Sequence, residues 1–248
     1  MRVLLTRPLT DAVPLAEQLA QRGNDVVLAP MIRIEPTQAS LPSPDGYGAL
    51  ALTSANGVRA LMAALPDANT AAAWQALPAY AVGPQTAAAL RACQWPIIHQ
   101  AAGDVSALAG RIIADRNAAT TAQKTTKILH IAGTHRAGDL AAALAAQHIG
   151  CDKAVLYEAI AAEGFDLPAQ AALDDADDPI TAVVLYSQRS AEIFIRLYAA
   201  YEQAQAATGK KPCAYCLSPA IAELCQAAGF ETRIAATPDG PAMLQLFD

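Results

Sequence analysis

Six short segments hold residues whose types and spacing could do chemistry together: Thr6-Arg7-Pro8, Thr53-Ser54-Ala55-Asn56-Gly57, Gly83-Pro84-Gln85-Thr86, Gly133-Thr134-His135-Arg136, Ser187-Gln188-Arg189-Ser190 and Ser218-Pro219. Nearly all combine a small or hydroxyl residue with Gly or Pro directly after an apolar run, which is the pattern of a strand-to-helix turn. A helix N-terminus offers unpaired N–H groups and a partial positive charge. In an open parallel sheet, such turns gather beyond the carboxyl ends of the strands, where ligands bind. A single Ser, Thr or Asn in such a turn needs no role beyond capping its helix. Two matched sets of turns point further, to a binding cleft rich in hydrogen-bond donors.

Other chemistries lack their residues. There is no Walker A sequence, no G-x-G-x-x-G after a strand and no G-x-S-x-G elbow, so neither a nucleotide cofactor nor a serine nucleophile is indicated. His99, His130, His135 and His148 lack metal-ligand spacing with acidic or thiol partners. His130 reads as a strand residue and His148 as a helix end, both structural. Cys93, Cys151, Cys213, Cys216 and Cys225 are odd in number and scattered, unlike a secreted disulfide framework. Cys213-Ala214-Tyr215-Cys216 lies inside an apparent strand, where alternation sends its two thiols to opposite faces as buried structural groups. Asp174-Asp175-Ala176-Asp177-Asp178-Pro179 reads as a solvated turn, since contiguous carboxylates lack the alternating pattern of a metal loop. No metal and no cofactor are expected. Many donors without a triad suit a polyanionic substrate whose reactivity is largely its own.

The elements that must position these turns alternate strictly. A strand over Val3–Thr6 precedes a helix from about Asp11 to Arg22, stopped by Gly23-Asn24. Asp25–Leu28 reads as a strand continuing past Pro30 into the half-polar Met31–Pro36, a ribbon with one wet face. Thr37–Gly48 is rich in Pro and reads as a loop or linker. Strands follow at Ala49–Thr53, Ala79–Val82, Pro96–His99 and Lys127–Ile131, each feeding an Ala- and Leu-rich helix, the last from about His135 to Gln147. Lys153–Ile160 is a second extended run and the natural partner of the first ribbon.

The programme occurs twice. Arg2-Val3-Leu4 aligns with Lys127-Ile128-Leu129, Leu52-Thr53-Ser54 with Leu185-Tyr186-Ser187, Tyr80–Trp95 with Tyr215–Phe230, and Ala101–Leu108 with Ala236–Met243. Collinear blocks are harder to obtain by chance than an Ala-rich composition, and two copies imply two lobes and a cleft. The seam of the repeat falls near Asn117–Thr126.

Composition agrees. The chain has 248 residues, long enough for two lobes with their own cores, and is 54% hydrophobic against 16% charged, which suits parallel sheets covered on both faces. A net charge of -6 with only 17 Lys and Arg argues against a nucleic-acid surface. No run of about 18 apolar residues offers a membrane span, and Met1-Arg2 leads straight into a strand without an export signal, so the expected compartment is the cytoplasm.

Several of these segments, in this order and spacing, resemble the uroporphyrinogen-III synthase family over essentially the whole chain. They are Leu5-Thr6-Arg7-Pro8, Leu52–Val58, Ala81–Ala87, His130–Leu140 with Gly133 and Arg136, Val155-Leu156-Tyr157, and Thr237-Pro238-Asp239. The resemblance implies an α/β fold of two flavodoxin-like parallel-sheet lobes joined by a two-stranded antiparallel linker, with the active site in the cleft between them. The first domain would be discontinuous, residues 1–35 plus 162–248, and the second would be residues 36–161. It also implies the reaction, cyclisation of hydroxymethylbilane with loss of water and inversion of ring D, carried out without a cofactor. The implied enzyme is a monomer that makes transient contact with hydroxymethylbilane synthase.

By the same resemblance, Tyr157 is the group that hydrogen-bonds or protonates the departing hydroxyl. Thr53, Ser54, Asn56, Thr86, Ser187 and Asp239 match cleft positions, with Gly83, Gly133 and Ser218 in the same turns. Arg7 and Arg136 are charge partners for substrate carboxylates. Arg189, in a Ser187-Gln188-Arg189 run where the family commonly has Ser-Pro-Ser, would add a third. A rival class is a noncatalytic two-lobed anion-binding or sensor protein, which the missing export signal and the Tyr157 ribbon count against.

Overall fold

Runs such as Val3-Leu4-Leu5 and Val183-Val184-Leu185 are buried on both faces, so they become inner strands of parallel sheets rather than one-sided amphipathic elements. The computed structural model describes residues 1–101, 103–118, 126–134, 138–205 and 210–248. Along them run β1 (Arg2–Leu5), α1 (Leu9–Gln21), β2 (Asp25–Leu28), β3 (Ile32–Pro36), β4 (Tyr47–Leu52), α2 (Ala55–Ala64), α3 (Ala68–Gln75), β5 (Ala79–Val82), α4 (Gly83–Ala92), β6 (Ile98–Ala101) and α5 (Val105–Ala118). Then come β7 (Lys127–Gly133), α6 (Leu140–Ala145), β8 (Cys151–Ala161), α7 (Leu167–Asp174), β9 (Ala182–Leu185), α8 (Gln188–Gln205), β10 (Cys213–Cys216), α9 (Pro219–Ala227), β11 (Thr232–Ile234) and α10 (Gly240–Gln245). None of the described helices is long and apolar enough to cross a membrane.

The strands form two sheets, ordered β2-β1-β9-β10-β11 and β3-β8-β7-β4-β5-β6. All pairs are parallel except β3 with β8. There the Thr37 N–H donates to Leu156 O and the Ala162 N–H to Met31 O, so those two strands run antiparallel. In repeat order, each sheet places five strands 2-1-3-4-5, the flavodoxin-like arrangement, and the six-stranded sheet adds β3 outside β8. Strands one and two of each come from one copy and strands three to five from the other. By contacts the chain divides into a unit of Met1–Arg33 with Ile160–Asp248 and a unit of Ile34–Ala159.

Alternation along β4 sorts the core of the second unit. Leu50 and Leu52 pack with Leu129, Ile131, Val58 and Trp74 on one face, and Ala49 and Ala51 with Ile128, Leu108 and Ile112 on the other. In the first unit Val3, Leu5, Leu15, Leu19 and Val184 form one such cluster. Cys213 packs against that cluster. Cys216 is buried on the opposite face, where its hydrogen bond to Cys225 and its burial push its thiol up.

Strand β6 runs two residues later than the expected Pro96–His99, the described part of α6 is Leu140–Ala145 where a helix from about His135 to Gln147 was expected, and three further elements depart from the expectation. The segment read as one ribbon from Asp25 to Pro36 is two strands in different sheets. The break falls at Pro30, which has no N–H for a ladder, while the flanking Ala29 and Met31 N–H groups bond to Leu5 and Thr6 carbonyls. Helix α1 starts at Leu9 rather than Asp11, capped by the Pro8 carbonyl, so Pro14 lies two residues, about half a turn, deeper than expected. Helix α3 was not anticipated, although its cap was visible: the Asp67 carboxylate accepts from the Asn69 and Thr70 N–H groups.

His130 carries a pH prediction. It lies in β7, 8% exposed, with Nε2 unpartnered among the described residues. Burial, reinforced by Lys153, lowers its pKa to about 4. The unfolded chain accepts this proton below about pH 6.5, and the folded chain refuses it until about pH 4. Stability from this group is therefore intact above pH 6.5 and falls as the pH drops to about 4, by about 3 kcal/mol in all. Urea unfolding at pH 7 and pH 4.5 should show that loss in the wild type and a smaller one in His130→Leu; equal losses would refute it.

Candidate active site

In the second unit, β4 ends at Leu52 and turns through Thr53-Ser54 into α2. Ser54 is extended (φ -155, ψ 155), which aims its hydroxyl back over the first turn, where Oγ accepts the Gly57 N–H at 3.0 Å. Two strands away, the β7–β8 ladder carries a bulge: Ala132 pairs with Val155, but Gly133 pairs with Tyr157, so Leu156 is skipped. The bulge turns the Tyr157 side chain across Gly133 toward Ser54. Tyr157 Oη lies 2.8 Å from Ser54 Oγ. The ring rests on the bare Gly133 Cα, since a Cβ there would stand 2.7 Å from both Cε2 and Cζ.

Ser54 Oγ accepts from Gly57 and keeps a proton and a second lone pair, so either hydroxyl can donate across its contact with Tyr157. When Ser54 is the donor, the phenolic proton is free to point outward, in a chain that starts at the positive end of α2. Asn56, in the first turn of α2, accepts from Arg59 Nη1 through its Oδ1. Thr53 is half-buried at the strand end. Arg59 was not picked out in the sequence, although its i+3 spacing from Asn56 was the available signal.

At the neighbouring turn, Gly83 opens α4 with φ +73, a conformation that favours glycine, and no side chain caps that helix. Thr86 is buried in its first turn. Arg136 lies outside the described residues, as do His135 and Ala137.

In the first unit, Thr6 Oγ1 donates to Val184 O at 2.6 Å and fixes the end of β1. Arg7 follows it, with Nη2 3.0 Å from Asp11 Oδ2 and Cζ 4.2 Å above the Tyr186 ring. Burial pushes the Tyr186 phenol up, so it is neutral beneath the cation. Ser187 caps α8, accepting from the Ser190 N–H at 3.1 Å and donating to Ser190 Oγ at 2.9 Å. Arg189 is half-buried in the first turn of the same helix. Ser218 holds α9 through its carbonyl, which accepts from the Ile221 and Ala222 N–H groups, and its side chain makes no cap. Asp239 caps α10, and its bonds from the Ala242 N–H and Thr237 Oγ1 hold its carboxyl below the usual range.

The geometry thus joins Tyr157, Ser54 and Gly133 in one unit and Arg7 with Tyr186 in the other, with further expected residues on turns at the same ends of the strands. The sequence profile of the family described as uroporphyrinogen-III synthase HemD matches residues 13–245. The chain belongs to the uroporphyrinogen-III synthase family. It is therefore an enzyme, a cyclising lyase of tetrapyrrole synthesis that acts on a small molecule, and not the noncatalytic binding protein weighed as the rival. No curated protein sequence matches it. Among solved structures, a uroporphyrinogen-III synthetase from Helicobacter pylori is similar at TM-score 0.67 and 19% identity, covering 99% of this chain and 98% of its own. A mutant uroporphyrinogen III synthase from the extremely thermophilic bacterium Thermus thermophilus is similar at TM-score 0.53 and 17% identity, covering 100% and 97%. At these identities the two structures speak for a shared fold, here that of the synthase family.

Proposed function

We propose that this synthase closes hydroxymethylbilane to uroporphyrinogen III with Tyr157 as the acid that assists the departing hydroxyl. Tyr157 Oη gives its proton to the hydroxyl oxygen, the C–O bond breaks, and water leaves an azafulvene cation. A ring D carbon attacks that cation to form a spiro intermediate. Fragmentation and reclosure then deliver ring D inverted, and the proton lost from the ring carbon balances the one Tyr157 gave. The observation that carries this reading is the 2.8 Å contact of Tyr157 Oη with Ser54 Oγ, itself tied to a helix N-terminus.

Holding eight carboxylates so that inverted closure outruns direct closure is a matter of orientation more than acid strength. The helix starts at Gly83 and Ser218 suit carboxylates, because no side chain occupies their N–H groups. Thr53, Asn56, Thr86 and Ser187 supply polar groups at their turns, and Arg7, Arg136 and Arg189 supply charge. Asp239 is an acceptor and suits a pyrrole N–H. We further propose a monomer that acts in the cytoplasm, a reducing compartment that suits its five free cysteines, and meets hydroxymethylbilane synthase transiently. Freshly made hydroxymethylbilane should give predominantly the type III isomer with this protein. Only the type I isomer of spontaneous closure would refute the reading.

A further inference from the structure

We propose that Tyr186 is a positioning residue that sets the plane of the Arg7 guanidinium for a substrate carboxylate. The proposal rests on the reading of Arg7 as a carboxylate contact. Arg7 leaves β1 beside the end of β9, and its guanidinium carbon stands 4.2 Å above the centroid of the Tyr186 ring. Its Nη2 donates to Asp11 at 3.0 Å, with the two side chains 18% and 20% exposed. A guanidinium has five N–H donors in one plane, and the Asp11 bond uses one. The ring fixes the plane and Asp11 fixes rotation within it, so the remaining edge has a defined direction. Arginine binds carboxylates through two parallel N–H bonds, and that geometry depends on the plane in a way a point charge does not.

The duplicated fold supplies an internal comparison. In the five-stranded sheet Leu5 pairs with Val184, which brings Arg7 opposite Tyr186 two steps on. In the six-stranded sheet Leu52 pairs with Ile131, and the matching positions one step on are Thr53 and Ala132. The unit that has the arginine has the aromatic ring beneath it. The unit that lacks one lacks the other. The cap at Ser187 does not call for a ring at position 186, since Thr53 precedes the equivalent cap at Ser54, although the Tyr186 ring also packs against the core cluster of Val3, Leu5 and Val184.

The test compares steady-state KM and kcat for hydroxymethylbilane in Tyr186→Leu, Tyr186→Phe, Arg7→Lys and the double variant Arg7→Lys/Tyr186→Leu. Loss of the stack should raise KM about fivefold to tenfold with kcat within about twofold. Tyr186→Phe, which keeps the ring, should restore KM, and the double variant should be no worse than Arg7→Lys alone. If Arg7→Lys raises KM but Tyr186→Leu does not, or if the two effects multiply independently, the positioning role is overturned while the Arg7 contact stands. If Arg7→Lys leaves KM unchanged, the contact itself fails and this inference fails with it. Should Tyr186→Leu not fold, Tyr186→Thr, which installs the residue of the matching turn, carries the same comparison.

Discussion

Replacing Tyr157 with phenylalanine should lower kcat for type III closure by about 10²-fold to 10⁴-fold, the usual contribution of a positioned general acid. The ring can stay where it is. Phenylalanine still lies flat on Gly133, and Ser54 still caps α2 through the Gly57 N–H, so the fold loses one hydrogen bond worth about 1 kcal/mol. KM should hardly move, because the proton is shared only as the C–O bond breaks. Single-turnover assays that separate the isomers, together with urea unfolding, distinguish the two effects. Spontaneous closure then overtakes the enzyme, so type I product should rise as type III falls. Undiminished type III turnover by a folded Tyr157→Phe protein would remove the proposed role.

Gly133→Ala should produce nearly as large a loss without removing any group that takes part in the chemistry. Its methyl carbon would sit 2.7 Å from two ring atoms of Tyr157, well inside van der Waals contact. The backbone there belongs to a strand paired on both sides at its start, so the ring moves instead. A displacement of about 1 Å breaks the bond to Ser54 and can cost on the order of 10²-fold in kcat. The added stability cost is about 1–3 kcal/mol, typical of overpacking. The double variant Gly133→Ala/Tyr157→Phe should be no slower than Tyr157→Phe alone, because the alanine acts through the phenol. Multiplying losses would show that Gly133 matters for another reason.

The extent to which this could be read in advance follows from the range of the interactions. Strand β5 was legible to the residue, because Ala79–Val82 is bounded by Pro78 and Gly83 and buried throughout its inner part. The α/β class was legible because parallel strands covered on both faces read as unbroken apolar runs. The parting of β2 from β3 was hidden, since an alternating segment looks the same whether its ends join one sheet or two. Tyr157 and Ser54 were each singled out, but their bond joins residues 103 apart in the chain and depends on a bulge that no local pattern marks. Tyr186 was seen only as an aligned residue of the repeat. Its role emerges only when β1 lies beside β9, which brings Arg7 over its ring.

The exchange of strands between the two copies has a consequence for biosynthesis. β1 finds its partner β9 only after some 180 residues of chain, as the bond from Thr6 to Val184 illustrates. At about 5–20 residues per second of translation, the first hairpin-sized piece waits on the order of ten seconds with β1 exposed along one edge. Residues 34–159 are contiguous and can settle while the ribosome is still working. The nascent enzyme therefore finishes its middle before its beginning. An apolar N-terminal strand with one open edge is what a chaperone would be expected to shield in the meantime.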